Sequence, residues 1–120
     1  NGRPTVIEFF AEWCEGCKQM VKDVAAIEKT YDGQVNFVML NVDNSKWIPE
    51  LNQYDVDGIP HFEFLDSQGR ELGRAIGKQP RVILDANLKA LLDGQPLPYG
   101  DATGETSSLD NTLGRGTSTD

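Results

Sequence analysis

Thr5-Val6-Ile7-Glu8-Phe9-Phe10-Ala11-Glu12-Trp13-Cys14-Glu15-Gly16-Cys17-Lys18 opens the chain with an apolar run that ends in a pair of cysteines. Residues 5–11 read as a strand apolar on both faces apart from Glu8, and near-continuous runs of this kind belong to buried parallel strands. A helical stripe of Cys17, Met20, Val21, Val24, Ile27 and Tyr31 follows over residues 14–31, with Gly33 suited to a stop just beyond it. The cysteines therefore fall where a buried strand hands over to a helix. Cys14 is expected exposed at the helix N-terminus, where unpaired N–H groups and the positive end of the dipole favour a thiolate. Cys17 is expected on the inner side, buried and close enough to resolve a mixed disulfide.

Other uses of this Cys-x-x-Cys fit less well. Zinc needs about four ligands, and beyond the cysteines only His61 and carboxylates remain. Haem attachment requires a histidine after the second cysteine, where Lys18 stands. A purely structural bridge would close so short a loop that its effect on chain entropy would be small. Redox chemistry is the reading that placement and spacing favour, with no metal and no cofactor.

The rest of the chain supplies a frame for that site. Val35–Val42 reads as a second buried strand, and Trp47, Ile48, Leu51 and Tyr54 mark one side of a short helix with Pro49 in its first turn. His61–Leu65 and Leu72–Ile76 read as strands around a hairpin-type loop, Asp66-Ser67-Gln68-Gly69-Arg70. A last helix opens with Pro80 at its first position, turns Leu84, Leu88, Leu91 and Leu92 inward and meets Gly94. The order is strand–helix–strand–helix–strand–strand–helix, an α/β protein with a mixed sheet flanked by helices.

Length and charge bound the function. The 120 residues suffice for one domain. Residues 1–100 carry 15 acidic and 10 basic side chains, and residues 101–120 take the formal charge to −8. So acidic a surface, with no cluster of Lys and Arg against it, argues against nucleic acid as a partner. No apolar run approaches the roughly 20 residues that span a bilayer. The start, Asn1-Gly2-Arg3-Pro4, is neither an initiator methionine nor a signal peptide and reads as trimmed, with any anchoring segment out of view. From Asp101 onward, 15 of 20 residues are Gly, Ser, Thr, Asp or Asn. That composition predicts a domain over residues 3–95 and a flexible polar tail, disordered toward the C-terminus, over 96–120.

Three separated motifs in this order resemble the thioredoxin family: Val6–Lys18 its active-site strand and helix start, Gly58-Ile59-Pro60 its cis-proline loop, and Gly77 a glycine of its substrate groove. The resemblance covers residues 4–93 and implies a minimal thioredoxin fold (βαβ–α–ββα), lacking the first strand and helix of the full one. It implies catalytic roles for Cys14, Cys17 and Glu8, client contacts at Trp13, Ile59, Pro60 and Gly77, a cis Ile59–Pro60 bond, and an Ile59 backbone free to pair with a client strand. Cys-Glu-x-Cys, Val35–Asn44, Lys46-Trp47, Gly58–Phe62 and Pro98-Tyr99 narrow the likeness to membrane-anchored thioredoxin-like proteins of cyanobacterial and chloroplast thylakoids. Such proteins face the lumen and reduce protein thiols there, including those of c-type cytochrome maturation and cytochrome b6f assembly. By this likeness the chain would be a monomeric protein-disulfide reductase with disulfide-bearing clients, a membrane electron-donor protein and an N-terminal anchor outside this sequence. Rival readings are a disulfide oxidase or isomerase of a periplasm-like compartment, and a non-enzymatic binding module using the groove around Pro60.

Single residues sharpen these expectations. Glu15-Gly16 replaces the family's common Gly-Pro, and a carboxylate beside Cys14 disfavours its thiolate, which predicts a more reducing pair. Glu8 stands where thioredoxins place a buried aspartate, and Met39 where many have a lysine near it. Desolvation should raise the Glu8 pKa and suit it to take the proton from Cys17, against the plainer reading of a carboxylate at a sheet edge. His61 reads first as a strand-start residue, with a titrating role beside the thiols as the alternative.

Overall fold

The computed structural model describes residues 2–109. β1 (Thr5–Phe10) runs parallel to β2 (Asn36–Asn41) on one side and antiparallel to β4 (His61–Leu65) on the other. Between β1 and β2 the chain crosses over through α1 (Glu15–Thr30). After β2, a 3₁₀ turn at Ser45–Trp47 leads into α2 (Ile48–Gln53), where Pro49 occupies the first turn as expected. A two-residue strand, β3 (Gly58–Ile59), precedes β4, which folds back on β5 (Glu71–Ile76). The Asp66 carboxylate holds that hairpin loop by accepting from the backbone N–H groups of Gln68 and Arg70, each at 2.9 Å. α3 (Arg81–Asp93) completes the order that the sequence predicts, with Pro80 one position earlier than expected, at the N-cap.

Why β1 is apolar on both faces follows from the layers. Val6 joins Phe62, Phe64 and Ala75 of the sheet against Met20, Val24 and Ile27 of α1 and Leu84, Leu88 and Leu91 of α3. Ile7 and Phe9, on the opposite face, pack with Leu51 of α2 and with Tyr54 and Val56 just after it. The Tyr31 hydroxyl donates to Asp85 at 2.6 Å and ties the end of α1 to α3.

Two expectations fail. β2 is not a buried strand but one edge of a five-stranded sheet of order β2-β1-β4-β5-β6. Val38 and Met39 are 37% and 42% exposed, because among the described residues β2 has a neighbour only in β1. The polar segment after residue 95 is also structured as far as it is described. β6 (Asp101–Thr103) pairs parallel to β5, and β7 (Ser107–Ser108) pairs antiparallel to β3.

A buried side chain explains the first of these pairings. Asn87, fully buried on α3, donates from its amide to the Tyr99 carbonyl at 3.0 Å and accepts from the Tyr99 N–H at 2.9 Å. It satisfies one residue's backbone as a neighbouring strand would, and so delivers the chain to the edge of β5, where Arg74 N–H donates to Gly100. The segment needs no apolar stripe, because backbone pairing fastens it. The part of the expected tail over 110–120 lies outside the described residues.

Candidate active site

Cys14 is the N-cap of α1, and its Sγ accepts from the Cys17 N–H at 3.1 Å. One turn separates the two side chains, and they are joined as a disulfide with Cα atoms 5.2 Å apart. The preceding strand fixes where the pair sits, because β1 ends at Phe10 and the Cys14 N–H turns back to the Ala11 carbonyl at 3.2 Å. Trp13 is pinned beside it, its indole N–H donating to Asp43 at 2.8 Å. Asp43 in turn is held by a turn in which its backbone N–H donates to the Asn41 side chain at 2.9 Å.

Glu8 is 5% exposed and lines one cleft with Cys17, Val24, Ala25 and Met39. Its Oε1 has no hydrogen-bond partner. Burial, reinforced by the charge of Glu28, pushes its pKa up to about 8. The carboxyl therefore lies on the Cys17 side of the sheet, as the sequence predicts, and Met39 brings no cation to it. Across the site, the Ile59–Pro60 bond is cis. A side chain on Gly16 would meet Pro60 Cδ at 3.4 Å, so the helix start and the proline loop close on each other. Gly77, at φ +95°, donates its N–H to the Pro60 carbonyl at 2.7 Å and so lies beside the proline loop.

The thioredoxin family profile matches residues 1–90. The chain belongs to the thioredoxin family. Over 111 residues it is 51% identical to a thiol:disulfide interchange protein TxlA homolog of Synechocystis sp., covering 92% of this chain and 62% of that protein. It is 52% identical over 112 residues to the thioredoxin-like protein HCF164, chloroplastic, of Arabidopsis thaliana, covering 92% of this chain and 43% of the relative. The chain thus spans 62% of the length of the first curated relative and 43% of the second, less than two thirds of either. Among solved structures, the germline-specific thioredoxin Deadhead of Drosophila melanogaster superposes with a TM-score of 0.69 at 27% identity, over 76% of this chain and 83% of that one. In this thioredoxin domain Cys14 and Cys17 form the disulfide.

Two site expectations need correcting in this thioredoxin domain. Cys14 is not exposed: it has 0% of its surface accessible, against 6% for Cys17. Nor is the Ile59 backbone free, since it pairs with Ser107 of the same chain.

His61 is the strand-start residue that the sequence reading puts first: it opens β4. It is fully buried on the α2 side of the sheet, opposite the Glu8 face, with its ring edge-on to Phe9 at 5.6 Å. Its Nε2 lies 2.5 Å from a carboxylate that the sequence reading passed over, the fully buried Glu63. Burial first, then the nearby Arg74 charge, lowers the His61 pKa to about 4. Burial first, then the hydrogen bond and charge of Glu71, raises that of Glu63 to about 9. Both shifts favour the uncharged forms of the two groups, as burial of a polar pair does. Arg74 reaches the same carboxyl at 3.6 Å while bonding Glu71 at 2.6 Å, and links the pair to the surface.

Glu63→Leu leaves His61 Nε2 buried without a partner and is expected to lower unfolding free energy by about 1–3 kcal/mol in urea denaturation. The double change His61→Phe with Glu63→Leu should recover much of that loss, because both polar groups leave together. Strictly additive losses in the double variant are the result that refutes the coupling.

Proposed function

We propose that this domain is a protein-disulfide reductase of the thylakoid lumen, serving c-type cytochrome maturation and cytochrome b6f assembly. In this reading it is tethered by an upstream membrane anchor and recharged by a dithiol donor in the membrane. The observation that carries the reductase reading is the joint placement of a cysteine pair at the start of α1, a buried proton-holding carboxyl in the cleft under Cys17, and the cis-Pro60 groove. The compartment rests on the likeness to cyanobacterial relatives and to a plant relative named as chloroplastic.

In the reduced domain, the Cys14 thiolate attacks one sulfur of a client disulfide. The client S–S bond breaks, a Cys14–client bond forms and one client thiolate leaves. With Glu8 ionised, Cys17 gives its proton to that carboxylate and attacks Cys14 Sγ. The mixed disulfide breaks, the second client thiolate leaves and takes up a proton, and Cys14–Cys17 is left oxidised. Two electrons have passed to the client, and a dithiol donor restores them to the domain. Trp13, Ile59, Pro60 and Gly77 form the surface that presents the client sulfur to Cys14.

Equilibration against glutathione tests the direction. A potential near the roughly −270 mV of a reducing thioredoxin supports the proposal, and Glu15 beside Cys14 favours that end. A value near about −120 mV, typical of a strong oxidant, overturns it in favour of disulfide formation.

A further inference from the structure

The strand that the sequence leaves open for a client is already taken. β7 lies antiparallel along β3 with Gly58 opposite Ser108 and Ile59 opposite Ser107. The pairing is fastened at both ends: Lys78 N–H donates to the Glu105 carbonyl at 2.8 Å, and Leu109 N–H donates to the Asp57 carbonyl at 3.1 Å. Leu109 is 1% exposed and belongs to the same buried cluster as Cys14, Cys17 and Ile59. On its way the segment passes through the groove itself. A Cβ on Gly77 would be driven into the Gly104 carbonyl, and a side chain on Gly16 would meet the Glu105 carbonyl at 3.8 Å.

We propose that Glu105–Leu109 is an internal pseudo-client, a strap that occupies the edge of β3 and must leave before a client strand can pair beside Pro60. The inference rests on the disulfide-reductase reading and adds a gate to it. Two independent features agree. Strand addition at a sheet edge is a general mode of peptide recognition, and the same edge cannot hold two strands at once. Separately, Cys14 has no accessible surface with the strap in place, and a sulfur that must be approached in line by another sulfur cannot react from there.

The strap is built to open. Between Gly104 and Ser108 its residues are small or polar, Glu105, Thr106 and Ser108 are exposed, and Leu109 is its one buried anchor. Segments held by a few solvent-exposed backbone bonds occupy the low-stability end of a protein's opening free energies. A binding-competent state populated only in part lowers apparent client affinity by that fraction.

Insulin, reduced in the presence of dithiothreitol, is the probe. Leu109→Asp in the otherwise intact chain should free the strap and raise kcat/KM for insulin about tenfold, chiefly through a lower KM. Should that variant fail to fold, Ser107→Pro, which removes a backbone donor from β7, carries the same expectation. A rate equal to or below that of the unaltered chain overturns the proposal, the strap then being inert or part of the client surface. A second readout leaves the strap sequence untouched: in Cys17→Ser with insulin trapped on Cys14, the Thr106–Leu109 amides should exchange at least about tenfold faster than without insulin. Unchanged protection there also overturns the gate. Failure of the reductase reading looks different: no chain, altered or not, speeds insulin reduction beyond dithiothreitol alone, and Cys14 traps nothing. That result removes both.

Discussion

Cys14→Ser is expected to drop protein-disulfide reduction to the uncatalysed background, a loss of about 10³-fold or more. The complementary Cys17→Ser should hold clients as mixed disulfides through Cys14, visible as a shifted band that a reductant dissolves. The assignment follows from position. Cys14 caps α1, where its sulfur already accepts the Cys17 N–H, so a negative charge there finds oriented donors and the positive end of the helix. Cys17 lies inside the first turn and lines the same cleft as Glu8. If the reduced protein is alkylated first at Cys17, or if Cys14→Ser still traps clients, the roles are reversed.

Glu8→Gln is expected to slow the resolving step about 100-fold while leaving the first attack nearly unchanged, as rapid mixing with a fluorescent disulfide client can separate. The ionised carboxylate is the base, so in the unaltered protein resolution should quicken as pH rises toward about 8, the value to which burial pushes Glu8. The variant should lose that limb.

The same group predicts how stability depends on pH. Because the folded pKa lies above the ordinary 4.5, the folded state holds the proton more tightly than the unfolded one. The stabilisation is complete below pH 4.5 and is lost as pH rises through about 8. The contribution approaches about 1.4 kcal/mol per pH unit within that window. Urea midpoints of Glu8→Gln should therefore fall less steeply between pH 5 and 8 than those of the unaltered chain. Parallel slopes would show that Glu8 titrates near its ordinary value in the folded state.

Much of this site was legible because its signals are local. An apolar run interrupted only by Glu8, a Cys-x-x-Cys at its end and a Gly-Ile-Pro each depend on their own residues, and the cysteine bridge, the raised Glu8 pKa and the cis bond all appear in the structure. What stayed hidden depends on partners. His61 and Glu63 alternate with Phe62 and Phe64, a pattern that reads as a strand with one wet face, whereas α2 and Tyr54 cover that face and both polar groups are fully buried. The segment 101–109 is poor in apolar residues, yet the pairing of β6 and β7 uses backbone groups that every residue but proline carries. Its one side-chain signal was Leu109, an aliphatic residue stranded in a polar stretch and, in the fold, an anchor.

A short tether gives the strap a property that a separate inhibitor would lack. β7 follows β6 after only Gly104, Glu105 and Thr106, and β6 is itself bound to the sheet. A segment so tethered faces its site at an effective concentration on the order of millimolar, whatever the amount of protein present. Diluting the protein does not open the groove, and making more of it does not close it further. A micromolar client competes only through tighter pairing, through a second contact elsewhere on the surface, or by being tethered nearby itself. Selection among clients then depends on proximity and duration of contact rather than on abundance.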